Sequence, residues 1–101
     1  MTPAEFKRRL DAATRRGRLT ASDLAVWFSF PRSTIATWLW RVSMPREGSQ
    51  FDELQRRLLL LEQSTAFPVP YEVRKNARRG YIEKAYADAV TRGVPARRSA
   101  V

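Results

Sequence analysis

Residues 20–40 read TASDLAVWFSFPRSTIATWLW. The stretch holds all three Trp of the chain but only one basic residue, Arg32, in a protein with 19 Lys and Arg. Thr20 followed three residues later by Asp23 is a capping pair that starts a helix. Leu24, Ala25 and Phe28 then fall at helical spacing. Pro31 disfavours helical geometry at Phe30 and suits the start of a new helix. The chain therefore breaks at residues 29–31 and restarts. Ile35, Trp38, Leu39 and Val42 give the restarted helix one apolar face, and Pro45 ends it at or before Met44.

The flanks extend the same helical reading. Thr2, Pro3 and Glu5 form a helix start, and Phe6, Leu10 and Ala13 make one stripe of a first helix over about residues 3–16. Gly17 is placed to act as its left-handed stop. Ser49 to Asp52 opens a fourth helix carrying Phe51, Leu54, Leu58, Leu59, Leu60 and Leu61. Pro68 and Pro70 make residues 64–70 a connector. A last helix is expected from about Tyr71 through residue 92 or 93, with Gly80 as a weak point. Its first half is basic, and its second half carries Ile82, Ala85, Tyr86, Ala89 and Val90 as a stripe. Residues 94–101 read as a loose basic tail. No segment alternates as a strand does. The expected fold is all-α: a domain over residues 1–63 and a C-terminal helical arm over residues 71–93.

Composition narrows the function. The chain has neither Cys nor His, which removes the usual zinc, haem and iron–sulfur ligands, the thiol nucleophile and the imidazole base. No enzyme, metal or cofactor is expected, and no small-molecule ligand is evident. No apolar run is long enough to span a bilayer and the N-terminus does not read as a signal peptide, so a cytoplasmic protein without a membrane partner is expected. The 19 Lys and Arg stand against 10 Asp and Glu, a net +9, which draws the chain to polyanions, with nucleic acid first.

Two short helices joined by a tight turn are the organisation of a helix-turn-helix unit, whose second helix enters the DNA major groove. Counted from Ala21, apolar residues at the fourth, eighth, tenth, fifteenth and eighteenth places are Leu24, Phe28, Phe30, Ile35 and Trp38, with Ala25 at the fifth. On these six positions the segment resembles the helix-turn-helix of phage Cro and repressor proteins and their bacterial relatives; the likeness covers residues 18–46. One place departs: the family usually has Gly at the ninth, where φ is positive, and this chain has Ser29. A non-Gly residue there costs roughly 1 kcal/mol.

The resemblance implies a sequence-specific double-stranded DNA-binding protein acting as a transcriptional regulator. The expected base contacts are Arg32, Ser33, Ala36 and Thr37, with Arg32 the main candidate because a guanidinium bonds G O6 and N7 together. Expected backbone contacts are Arg18, Thr20, Ser22, Trp40, Arg41 and Arg46. Arg74, Lys75, Arg78 and Arg79 form a second basic cluster and a candidate second DNA contact. Leu54, Leu58, Leu59, Leu60 and Leu61 exceed what one face of a small domain needs; either the C-terminal helix covers them or a second copy does, and a homodimer is expected. The alternatives are a DNA-packaging recognition protein that assembles as a ring, and a protein-binding module working through Trp27 and Trp40. Whether those two Trp are core or contact surface is the question the sequence leaves open.

Overall fold

The computed structural model describes residues 2–40 and 49–92. These form five α-helices and no strand. Helix α1 spans Pro3–Gly17, α2 Ala21–Phe28, α3 Arg32–Trp40, α4 Ser49–Gln63 and α5 Arg78–Arg92, with a 3-10 turn at Lys75–Ala77 before α5. Among the described residues no helix is long and apolar enough to cross a membrane. Arg41, Arg46, the expected end of the third helix at Pro45 and the tail at 94–101 lie outside the described residues.

The helix starts follow from local chemistry. Thr2 accepts the Glu5 N–H at 3.1 Å. Thr20 and Asp23 close a full capping box: the Thr20 hydroxyl accepts the Asp23 N–H at 3.2 Å, and the Asp23 carboxylate accepts the Thr20 N–H at 2.9 Å. The stop of α1 differs from expectation. Gly17 remains helical, and Arg18 takes the left-handed conformation, with φ 51°. Gly17 serves packing instead, because a Cβ there would lie 3.2 Å from Phe67 Cβ and 3.2 Å from Leu19 Cγ. Between α2 and α3, Ser29 is left-handed, with φ 61° and ψ 44°. The non-Gly residue thus carries the strained geometry itself.

Two aromatic clusters hold the helices. Trp38 packs edge-on to Phe6 and Phe28, tilts against Phe30 at 5.0 Å, and so joins α1, α2 and α3. Phe6 carries the cluster on to Phe51 of α4. Trp27 makes the second cluster with Phe67 at 5.6 Å and Tyr86 at 5.1 Å. Its indole N–H donates to the Arg57 carbonyl at 2.9 Å, which satisfies the one polar atom a buried Trp brings. Phe67 also meets Tyr81, whose hydroxyl donates to the Ala66 carbonyl. The Pro-containing connector is therefore pinned to the core.

The C-terminal helix is not an arm. It packs against both α2 and α4, and Ile82 and Ala85 belong to the same buried cluster as Phe6 and Leu24. It also starts seven residues later than the expected Tyr71, at Arg78. Tyr71, Glu72 and Arg74 are exposed, so residues 71–74 have little apolar face to bury, and most helical stability comes from such burial. Arg74 is extended and Lys75–Ala77 is a 3-10 turn, so Arg74 and Arg78 of the second basic cluster do not share one α-helical face.

The leucine excess on α4 is covered within the chain. Leu54, Leu58, Leu60 and Leu61 are buried, and Leu59 is partly buried against the same cluster. The five therefore offer no free self-association face, because α1, α2 and α5 all pack on α4.

Candidate nucleic-acid interface

Helix α3 divides cleanly by burial. At 3.6 residues per turn, Ile35 and Trp38 share one side, and both are buried. Ser33 and Trp40 lie opposite, with Ala36 and Thr37 beside them. Ser33 is exposed and Ala36 and Thr37 are partly so. Trp40 is 83% exposed. The Thr37 hydroxyl donates back to the Ser33 carbonyl at 3.1 Å, so it presents its oxygen lone pairs and its methyl outward. Four of the sequence candidates thus form one accessible surface that mixes short polar groups with apolar ones.

The two tryptophans in question separate completely. Trp27 is 1% exposed and Trp40 is 83% exposed. Trp27 is core, which removes it from any contact surface, whereas Trp40 remains open. The sequence leaves this open because Phe67 and Tyr86, the partners of Trp27, lie in the connector and in α5, far along the chain.

Arg32 sits at the flank of the α3 surface. It lines an open groove of about 840 Å³ between the α2–α3 unit and the start of α5. Arg18, Thr20 and Ser22 line the same groove from the N-terminal side of α2, and Lys75, Arg78 and Arg79 line it from the other wall. The structure therefore brings together three of the expected backbone contacts, one expected base contact and three members of the second basic cluster. Arg74 of that cluster is exposed but is not part of the lining.

The electrostatics of this groove depend on one pair. Arg78 donates from Nε and Nη2 to the two oxygens of Asp23, both at 2.8 Å, and from Nη2 to the Arg18 carbonyl at 3.3 Å. Arg78 is thus committed to structure, not free for a ligand. Burial works to raise the Asp23 pKa, but the Arg78 guanidinium and the Thr20 N–H outweigh it and hold the carboxyl below its ordinary range. The Arg78 pKa is raised, chiefly by its hydrogen bond to Asp23. Asp23 is the one acidic residue of the lining, and Arg78 cancels it. That leaves Arg18, Arg32, Lys75 and Arg79. Arg18, Arg32 and Lys75 make no ion pair among the described residues, and Arg79 makes only an exposed one, 3.5 Å from Glu83.

The sequence names the basic residues of the groove as candidates but does not signal that they meet. The groove's defining bond joins residues 55 apart, and neither Asp23 nor Arg78 stands out by periodicity. Among the described residues there is no cluster of acidic side chains that would hold a metal. Comparison with protein-family models, with curated proteins and with solved structures finds no match.

Proposed function

We propose that this chain is a sequence-specific double-stranded DNA-binding protein of phage or bacterial type, a transcriptional regulator that sets α3 into the major groove. The observation that carries the reading is the α2–α3 junction. Ser29 is left-handed, Ile35 and Trp38 turn inward, and the Ser33, Ala36 and Thr37 surface is left open. This is the arrangement a helix-turn-helix unit uses to present one helix to base edges. The resemblance of residues 18–46 to Cro-type proteins and the net charge of +9 support it. Thr20 and Ser22 are exposed at the start of α2, where side-chain hydroxyls and helix N–H groups suit a phosphate. A homodimer would place two such helices one DNA turn apart. The α4 leucines do not supply its interface.

The test is a titration of a random-sequence duplex pool at increasing salt, followed by selection of the bound fraction. The expected results are a steep linear fall of log affinity with log salt and enrichment of a defined sequence. Absence of duplex binding at low salt would remove the DNA reading. A dimer mass in solution would fit the regulator, and a ring of many copies would fit a packaging role instead.

A further inference from the structure

We propose that the groove between the α2–α3 unit and the start of α5 holds the phosphate backbone of one DNA strand beside the stretch that α3 reads, and that Arg18, Arg32, Lys75 and Arg79 clamp it without reading sequence. This rests on the DNA-binding reading and adds a second wall to it, built from a part of the chain outside the Cro-like segment. It also moves Arg32 from base readout to the clamp.

Charge and geometry carry the inference together. Folding brings residues from positions 18, 32, 75 and 79 to one open groove. Three of these cations are left without an ion pair among the described residues, although Asp and Glu elsewhere take up Lys7, Arg9, Arg56 and Arg57. Four like charges around one groove repel each other, and a polyanion relieves that repulsion. The single carboxylate that would repel a phosphate, Asp23, is 4% exposed and neutralised by Arg78. A phosphodiester backbone fits such a site better than a base edge does. The contacts come from long, flexible cations on both walls, and the short groups that share the lining, the Thr20 and Ser22 hydroxyls at the start of α2, suit phosphate oxygens.

Arg32 follows from the same placement. On α3 it lies about a quarter turn from Ser33, away from the centre of the outward face and toward the groove. Its side chain lines the groove together with Lys75 and Arg79, and the reading falls to Ser33, Ala36 and Thr37.

The test compares the parent chain with three variants on the same random-sequence duplex pool. These are Lys75→Gln combined with Arg79→Gln, Arg32→Gln alone, and Arg9→Gln, which lowers net charge away from the groove. All substituted cations in the first two variants are exposed, and a thermal melt of each variant serves as the check that it folds. The double variant should flatten the log–log salt slope by about 1.8, or about 0.9 for each phosphate contact removed, and leave the enriched sequence unchanged. Arg32→Gln should flatten it by about 0.9, again with the enriched sequence unchanged. Arg9→Gln should leave the slope as in the parent. An unchanged slope in the double variant, or equal flattening by Arg9→Gln, would overturn the clamp. Relaxed preference at one base pair in Arg32→Gln, with the slope intact, would return Arg32 to base readout. Both results require a parent that binds duplex; a parent that binds none would sink the DNA reading itself.

Discussion

Two groups of cations in this small chain are treated in opposite ways. On α1 and α4, Arg9 pairs with Glu62 across the helices, and Arg56 and Arg57 share Glu53 at 2.8 and 3.0 Å. Arg57 also donates to the Trp27 carbonyl at 3.0 Å and lies 4.7 Å from the centre of the Tyr86 ring. Glu53 is held at about 2, first by its bond to Arg56. Around the groove, Arg18, Arg32 and Lys75 have no such partner among the described residues. The first group is part of the packing. The second leaves its charge facing solvent in one place. The net charge of +9 is therefore not a uniform coat, although Arg8 and Arg15 on α1 are exposed as well. Local concentration of charge, more than its total, argues for a polyanionic partner.

Substitutions can sharpen this contrast. The largest effect belongs to the packed region. Trp27→Ala should cost about 3 to 5 kcal/mol by removing the side chain that joins α2 to the connector and α5. Urea unfolding measures it, and a loss below about 1 kcal/mol would mean that α5 is not held by this cluster. Next is Arg78→Ala, which strands a nearly buried carboxylate at the edge of the groove. It should cost about 2 to 3 kcal/mol, and Asp23→Asn in the same chain should recover part of that.

The same pair sets an acid response. Asp23 is held below its ordinary range in the folded chain, so its contribution is fully present above the unfolded carboxyl range near pH 4. It is lost as pH falls through the lower folded value. Asp23→Asn should therefore be less stable than the parent at neutral pH, and the gap should narrow on acidification below about pH 4. Melting temperatures at a series of pH values test this, and a gap that widened toward acid would contradict it.

How far these features could be read in advance depends on chain separation. The capping pairs at Thr2 and Thr20 and the break at Pro31 involve residues within a few positions of each other, and local chemistry sets them. The Asp23–Arg78 pair and the burial of Trp27 under Phe67 and Tyr86 are settled only when α5 closes on α2, which no local pattern reports. Gly17 misled for a related reason. A glycine near a helix end suggests a left-handed stop, but here Gly17 lies where Phe67 and Leu19 pack closely, and Arg18 turns the chain. Tyr71 to Arg74 misled because a permissible helix does not form without a face to bury. Ser29 is the opposite case: the family likeness leaves open whether a non-Gly residue takes the positive φ or changes the turn, and the residue takes it.

Smaller effects complete the contrast. Ser29→Gly should stabilise the chain by about 1 kcal/mol by relieving the left-handed strain, with no change in the outward face of α3. Unchanged stability would mean that the turn is unstrained. Arg9→Gln should cost under about 1 kcal/mol, as half-exposed pairs usually do.

The most direct measurement uses the asymmetry of the three tryptophans. Trp27 and Trp38 are each 1% exposed and Trp40 is 83% exposed, so acrylamide quenching of the parent reports chiefly on Trp40 at the outward face of α3. Saturating duplex at low salt should protect Trp40 from acrylamide, and the duplex-dependent change should vanish in Trp40→Phe. A protein that binds duplex while Trp40 stays as open to acrylamide as in the free chain would contradict the placement of α3 in the major groove.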